Sequence, residues 1–216
     1  MKLPSAPARA SCSMPAPLVH IAYAVAYSKQ RPELDEALLV RGTAFPDIRR
    51  MAGLSREVTH HYGLTLSDVA AETDAWQAGF LLHSYLDKAW DEYFASRGMV
   101  DGEPSDDLHR LAVKLAEEAD YYGMSTPNNA LAQVFELAPL PQELALGASA
   151  EIIQRWNSFV SWKLSTPHGM ASWEYQAERV GYEPHEIAKV MLLVKEIRGS
   201  EAWQERLSSL HHDLGI

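Results

Sequence analysis

In the stretch "FLLHSYLDKAW", residues 80–90, His83 precedes Asp87 by four positions. Residues four apart on a helix project side by side, so such a pair can share one divalent ion. Wound at roughly 100° per residue, residues 73–97 set Trp76, Phe80, His83, Asp87, Trp90 and Phe94 on one stripe. Asp74, Gln77, Ser84, Lys88, Asp91 and Glu92 fall on the opposite, solvated side. The histidine and the carboxylate therefore sit on the face that should be buried. A buried carboxylate is costly unless something compensates it. Two kinds of compensation stay open on this helix alone: a metal ion, or a buried contact between the two side chains, as an ion pair with a protonated histidine or as a hydrogen-bonded polar pair.

A divalent ion needs roughly three or four protein ligands, and three further candidates lie upstream. His20 is in "PLVHIAYAVAY", on a helix face shared with Tyr23, Ala24 and Tyr27. Asp47 is in "GTAFPDI", where Pro46 pins the backbone, and His60 and His61 form a doublet in "REVTHHYG". Each has an ordinary alternative taken singly: a satisfied core histidine, a turn carboxylate, surface histidines. Cys12 is the only cysteine. Thiolate zinc chemistry and an intrachain disulfide are thus excluded, and a metal would be held by His, Asp and Glu.

The elements that must position these residues read as helices, with no alternating strand pattern. Candidate helices cover residues 18–30, 33–42, 66–97 with a break near 73, 105–122, 128–137, 141–165, 168–181, 184–197 and 200–213. Pro32, Pro104, Pro127 and Pro141 stand at or near proposed starts, and Ser105 before Asp106 and Asp107 reads as an N-terminal cap. Residues 43–65 form the longest irregular stretch, the kind of loop that often carries function. Trp156, Trp162, Trp173 and Trp203 fall at helical spacing and are expected in the core. "EEADYYG", residues 117–123, reads as a solvated helix end with its tyrosines turned inward.

The chain of 216 residues carries a formal net charge of −10. That balance disfavours a protein that coats nucleic acid, but a bound cation can reverse the local field for a small phosphorylated substrate. No run of apolar residues is long enough to span a bilayer. The Pro-rich opening, residues 1–17, reads as a disordered tail without the apolar middle of a secretory signal, so the expected location is cytoplasmic.

In order and context, "LVHIAYA", "RGTAFPDI", "THHY" and "WQAGFLLHSYLDKAW" resemble the zinc-dependent phospholipase C family, whose all-helical fold is shared with P1-type nucleases. The residues carrying the resemblance are His20, then Gly42, Pro46, Asp47 and Ile48, then Thr59 and His60, then Gly79, His83 and Asp87. They lie within residues 18–94. The resemblance implies an all-α, multi-helix single domain of the phospholipase C and P1 nuclease type over residues 18–216. It implies one metal held by Asp47, His60, His83 and Asp87, with Asp87 bridging to a second metal also bound by His20. His60 is taken over His61 because it follows the threonine; His61 stays the alternative. The implied cofactor is zinc, as one or two ions, or another divalent metal. The implied activity is phosphoester hydrolysis on a small phosphorylated substrate or lipid head group, with Asp47 both ligating and taking a proton from water. Glu57 and Asp68 are candidate acceptors for the far side of the imidazole ligands. The family's third-metal motif, His-x-x-x-Glu, occurs nowhere in the chain, so no third ion is expected. The competing class is a non-catalytic helical scaffold or binding domain that keeps the fold, with or without a structural metal.

Overall fold

The computed structural model describes residues 17–96, 107–122, 128–166, 174, 183–201, 203 and 205. Among them there is no strand, and the fold is all-α. The proposed tail, the cap at Ser105, the helix expected over residues 168–181 and most of that over 200–213 lie outside the described residues, as does Trp173.

Helix α1 (Pro17–Gln30) carries His20 and starts in the centre of the molecule, where Leu18, Val19, His20 and Ile21 are all buried. Its first turn is buried all round, while the face expected from the sequence, His20, Tyr23, Ala24 and Tyr27, is the buried one beyond it. Helix α2 (Glu36–Ala44) begins later than the residue 33 expected from Pro32, because Asp35 is its cap and accepts from the Leu38 N–H at 2.9 Å.

Residues 43–65 are not the irregular loop that their composition suggests. Helix α2 runs into a 3-10 turn (Phe45–Ile48) with Pro46 in its first turn. Then come α3 (Arg49–Ala52), stopped by Gly53 at φ 65°, and α4 (Arg56–Thr59). These pieces are too short to show a periodicity, so only their breakers were readable.

The break expected near residue 73 is present. It separates α5 (Leu66–Ala71), opened by a Thr65–Asp68 capping box, from the long α6 (Ala75–Ser96). Helices α7 (Asp107–Tyr122) and α8 (Asn129–Val134) follow. The single helix expected over 141–165 is two, α9 (Pro141–Ala145) and α10 (Ala150–Ser165). Gly147 at φ 93° takes a backbone conformation that few side chains tolerate, and Ser149 caps the new start. Helix α11 (Pro184–Arg198) matches its expected span to within a residue.

Helix α2 packs most extensively on α6, α7 on α11, and α10 on α8, with α1 touching α2, α6, α7 and α10. Trp156 and Trp203 are in the core and Trp162 is half-buried. The reading of residues 117–123 as a solvated end is wrong for Glu117 and Glu118, which are fully buried; the side chains of Asp120 and the two tyrosines lie outside the described residues. Glu117 accepts from the Trp90 indole N–H at 2.9 Å, and Glu118 pairs with Lys163 at 2.7 Å. These partners come from other helices, so local sequence gives no sign of them.

Candidate metal centre

The site is built where α2 crosses α6. A side chain on Gly42 would place its Cβ 2.0 Å from the Trp76 carbonyl oxygen, and one on Gly79 would stand 2.0 Å from that of Leu39. The two backbones therefore touch, and only glycine permits it. This contact brings the last turn of α2 against His83, one turn beyond Gly79. The Thr43 carbonyl, in the turn where a helix leaves acceptors unmatched, lies 2.8 Å from Nδ1 of His83. A carbonyl can only accept, so Nδ1 carries the hydrogen and Nε2 presents a lone pair.

A carboxylate stands near it. His83 Nε2 is 3.8 Å from Asp87 Oδ2, and His60 Nε2 is 3.1 Å from the same oxygen. His60 is oriented in turn from its other nitrogen, with Nδ1 2.8 Å from the Thr59 hydroxyl. Thr59 gives its own hydrogen to the Ser55 carbonyl at 3.4 Å, which leaves its oxygen to accept from Nδ1. The His20 ring stacks on that of His83 with centroids 3.9 Å apart. Its Nε2 lies 3.2 Å from Asp87 Oδ1, and its Nδ1 lies 3.8 Å from Asp47 Oδ2. Both His20 nitrogens, Nε2 of His60 and of His83, Asp47 Oδ2 and Asp87 Oδ1 are buried without a hydrogen-bond partner. Such orphans are rare in a folded interior and call for an explanation.

All five residues singled out from the sequence converge. Their donor atoms form two triads, His20–Asp47–His83 and His60–His83–Asp87, each with its atoms within 4.8 Å of one another. In this grouping Asp47 stands with His20, whereas the family resemblance pairs it with His60. Of the histidine doublet, His60 is the member in the cluster. His61 is exposed; its backbone N–H donates to Ser84 Oγ at 3.1 Å and its ring meets the edge of Phe80. This bond also explains why Ser84, expected on the solvated side of α6, is buried.

Burial dominates the electrostatics. It pushes the Asp47 carboxyl above its ordinary pKa, opposed by His20 and reinforced by the charge of Asp87. It pushes His83 well below the usual histidine value, with His20 adding to the effect, so His83 is neutral. Burial also acts to raise Asp87. Only a proton on the facing imidazoles, His83 foremost, pulls that carboxyl below its ordinary value. The site thus holds two carboxylates among three imidazoles, and Arg56 Nη2 reaches Asp87 Oδ2 at 2.9 Å.

Sequence reasoning missed Arg56 and Thr43, and had Thr59 only as a motif letter. The threonines stand beside motif residues, but nothing in the sequence marks their acceptor atoms. Glu57 and Asp68, the candidate acceptors, do not serve: Glu57 is exposed, and Asp68 belongs to the α5 capping box. Comparisons with family models, curated proteins and solved structures gave no match.

The donor set fits a divalent ion. Imidazole nitrogens and carboxylate oxygens are suitable ligands for zinc and its neighbours. The second hydrogen bonds of His83 and His60 fix the tautomer that ligation needs.

Proposed function

We propose that this protein is a metal-dependent phosphoester hydrolase whose zinc-type site is formed by His20, Asp47, His60, His83 and Asp87. One observation carries the reading. Two buried imidazole nitrogens, His60 Nε2 and His83 Nε2, stand 3.1 and 3.8 Å from a single carboxylate oxygen of Asp87, and neither has a hydrogen-bond partner. Acceptors facing acceptors repel, and a shared cation removes the conflict. The resemblance of the motif order to that of the phospholipase C family favours hydrolysis as the use of that cation.

Bound there, a divalent ion would lower the pKa of a coordinated water and polarise a phosphoryl oxygen. The chain's own residues divide the remaining work. Thr43 and Thr59 hold His83 and His60 in their ligating tautomers. Asp87, almost wholly buried, is the shared anion of the centre. Asp47 exposes a tenth of its side chain, which suits it to pass a proton to and from solvent. The substrate class is a small phosphorylated molecule or a lipid head group.

The depth of the cluster favours a second reading. His20 and His83 are fully buried and His60 nearly so, as in closed structural metal sites rather than open catalytic ones. In that case the domain is a scaffold with a structural ion. Metal content separates the first question from the second. Protein purified without a metal-affinity step should carry or take up zinc, manganese or iron, and His83→Ala and Asp87→Ala should each abolish it. Less than about a tenth of an equivalent, with no uptake on addition, overturns both metal readings. Turnover of p-nitrophenyl phosphate or its diester by wild type, lost in a metal-loaded Asp47→Ala variant, decides for hydrolysis. A loaded protein inert toward both esters decides for the scaffold.

A further inference from the structure

The geometry points to Arg56 as the residue that receives the anionic oxygen of the substrate, beside the metal centre. The inference rests on the hydrolase reading and adds the group that recognises charge. Arg56 opens α4, and its carbonyl accepts the His60 N–H at 2.8 Å, so the two residues are one turn apart on the same short element. Its guanidinium reaches inward to Asp87 Oδ2 at 2.9 Å while 29% of its side chain stays exposed; Asp87 exposes 1%. Arg56 is therefore a bridge from solvent to the buried cluster.

Among the described residues, the bond from Nη2 to Asp87 is the only hydrogen bond that the Arg56 side chain makes. A guanidinium has five N–H donors in a planar fork that matches two oxygens of a phosphate. Most of that capacity is unspent. The charge balance agrees. Asp47, Asp87 and Arg56 carry a formal sum of one negative charge, and one divalent ion turns this to one positive charge. A site with that net charge favours a monoanion such as a phosphodiester.

The ordinary alternative is that Arg56 only neutralises Asp87. The two roles separate in metal-loaded protein titrated with inorganic phosphate by calorimetry, with metal content and melting temperature measured alongside. For the anion-binding role, Arg56→Gln keeps the wild-type metal content and binds phosphate roughly tenfold more weakly or worse, because a charge-assisted forked contact is lost. Arg56→Lys restores the charge without the fork and recovers only part of the affinity. Should Arg56→Gln bind phosphate as tightly as wild type, the inference is overturned. It is equally overturned if that variant loses metal and phosphate in parallel, since Arg56 then acts through Asp87, or if loaded wild type binds no phosphate. Wild type that takes up no metal is a different outcome: it defeats the hydrolase reading on which Arg56 depends.

Discussion

The Thr43 carbonyl and His83 Nδ1 are 2.8 Å apart because Gly42 and Gly79 let two helix backbones touch beside them. Glycine in a helix interior is ordinarily a weakness, and replacing it with alanine gains about 0.5–1 kcal/mol. Here the sign reverses. The added methyl of Gly79→Ala would meet the Leu39 carbonyl oxygen at 2.0 Å, and α2 and α6 must separate. We expect a loss of about 1–3 kcal/mol or more, together with weaker metal uptake as His83 loses its acceptor. Urea unfolding of the metal-free variant measures the first and metal analysis the second. A variant more stable than wild type would show that the contact is looser than described.

A second tie fixes α2 from its other side. Arg41, 1% exposed, forms a forked pair with Glu143, bonding at 2.6 Å through Nε and 2.8 Å through Nη2, and Glu143 also accepts from the Leu140 N–H at 2.8 Å. Removing one partner leaves a buried charge alone. Arg41→Met should cost about 3–5 kcal/mol. The double variant Arg41→Met, Glu143→Leu should recover most of that loss, because a buried pair and an apolar replacement are often close in energy. Urea midpoints of the two variants test this; additive losses would contradict it.

The parts of the site on regular helices were readable from sequence, and the parts that depend on helix crossings were not. His83 and Asp87 declared themselves by sitting on an aromatic stripe four residues apart. His20 did so on a face with Tyr23 and Tyr27. Gly42 and Gly79 were visible as motif letters, yet their reason lies in a backbone contact between segments far apart in the chain. Arg56 carried no signal, because α4 is a single turn that no periodicity reveals. Glu117 looked solvated because its neighbours in sequence are charged, while its partner Trp90 is on another helix. What local pattern encodes is which face is buried. What it leaves out is which polar groups meet inside.

The orphaned atoms of the site give a measurable consequence of metal binding. An ion that binds only the folded state stabilises by roughly 2.7 kcal/mol at a hundredfold excess over its dissociation constant. For a chain of this size that is a rise in melting temperature of roughly 5–10 °C. The rise should be present in wild type, absent in His83→Ala and in Asp87→Ala, and reversed by a chelator. An equal rise in either variant would mean that the metal is held elsewhere.

Glu117 supplies a pH dependence independent of the metal centre. Burial lifts its carboxyl from 4.5 to about 8, although the Trp90 indole bond and Lys114 both pull it down; Glu118 adds to the rise. The folded protein therefore keeps a proton there that the unfolded chain releases above about pH 4.5. Folding binds the extra proton across this interval, so the Glu117 contribution to stability declines as pH climbs from about 4.5 to about 8 and then levels off. Gln at this position stays neutral at every pH and can still accept from the indole N–H. Glu117→Gln should match wild type near the acidic end of that interval and become progressively more stable than it toward pH 8. Urea midpoints of both proteins across the interval provide the comparison. Parallel curves would show that Glu117 is ionised in the folded state, with a cation beside it strong enough to outweigh its burial.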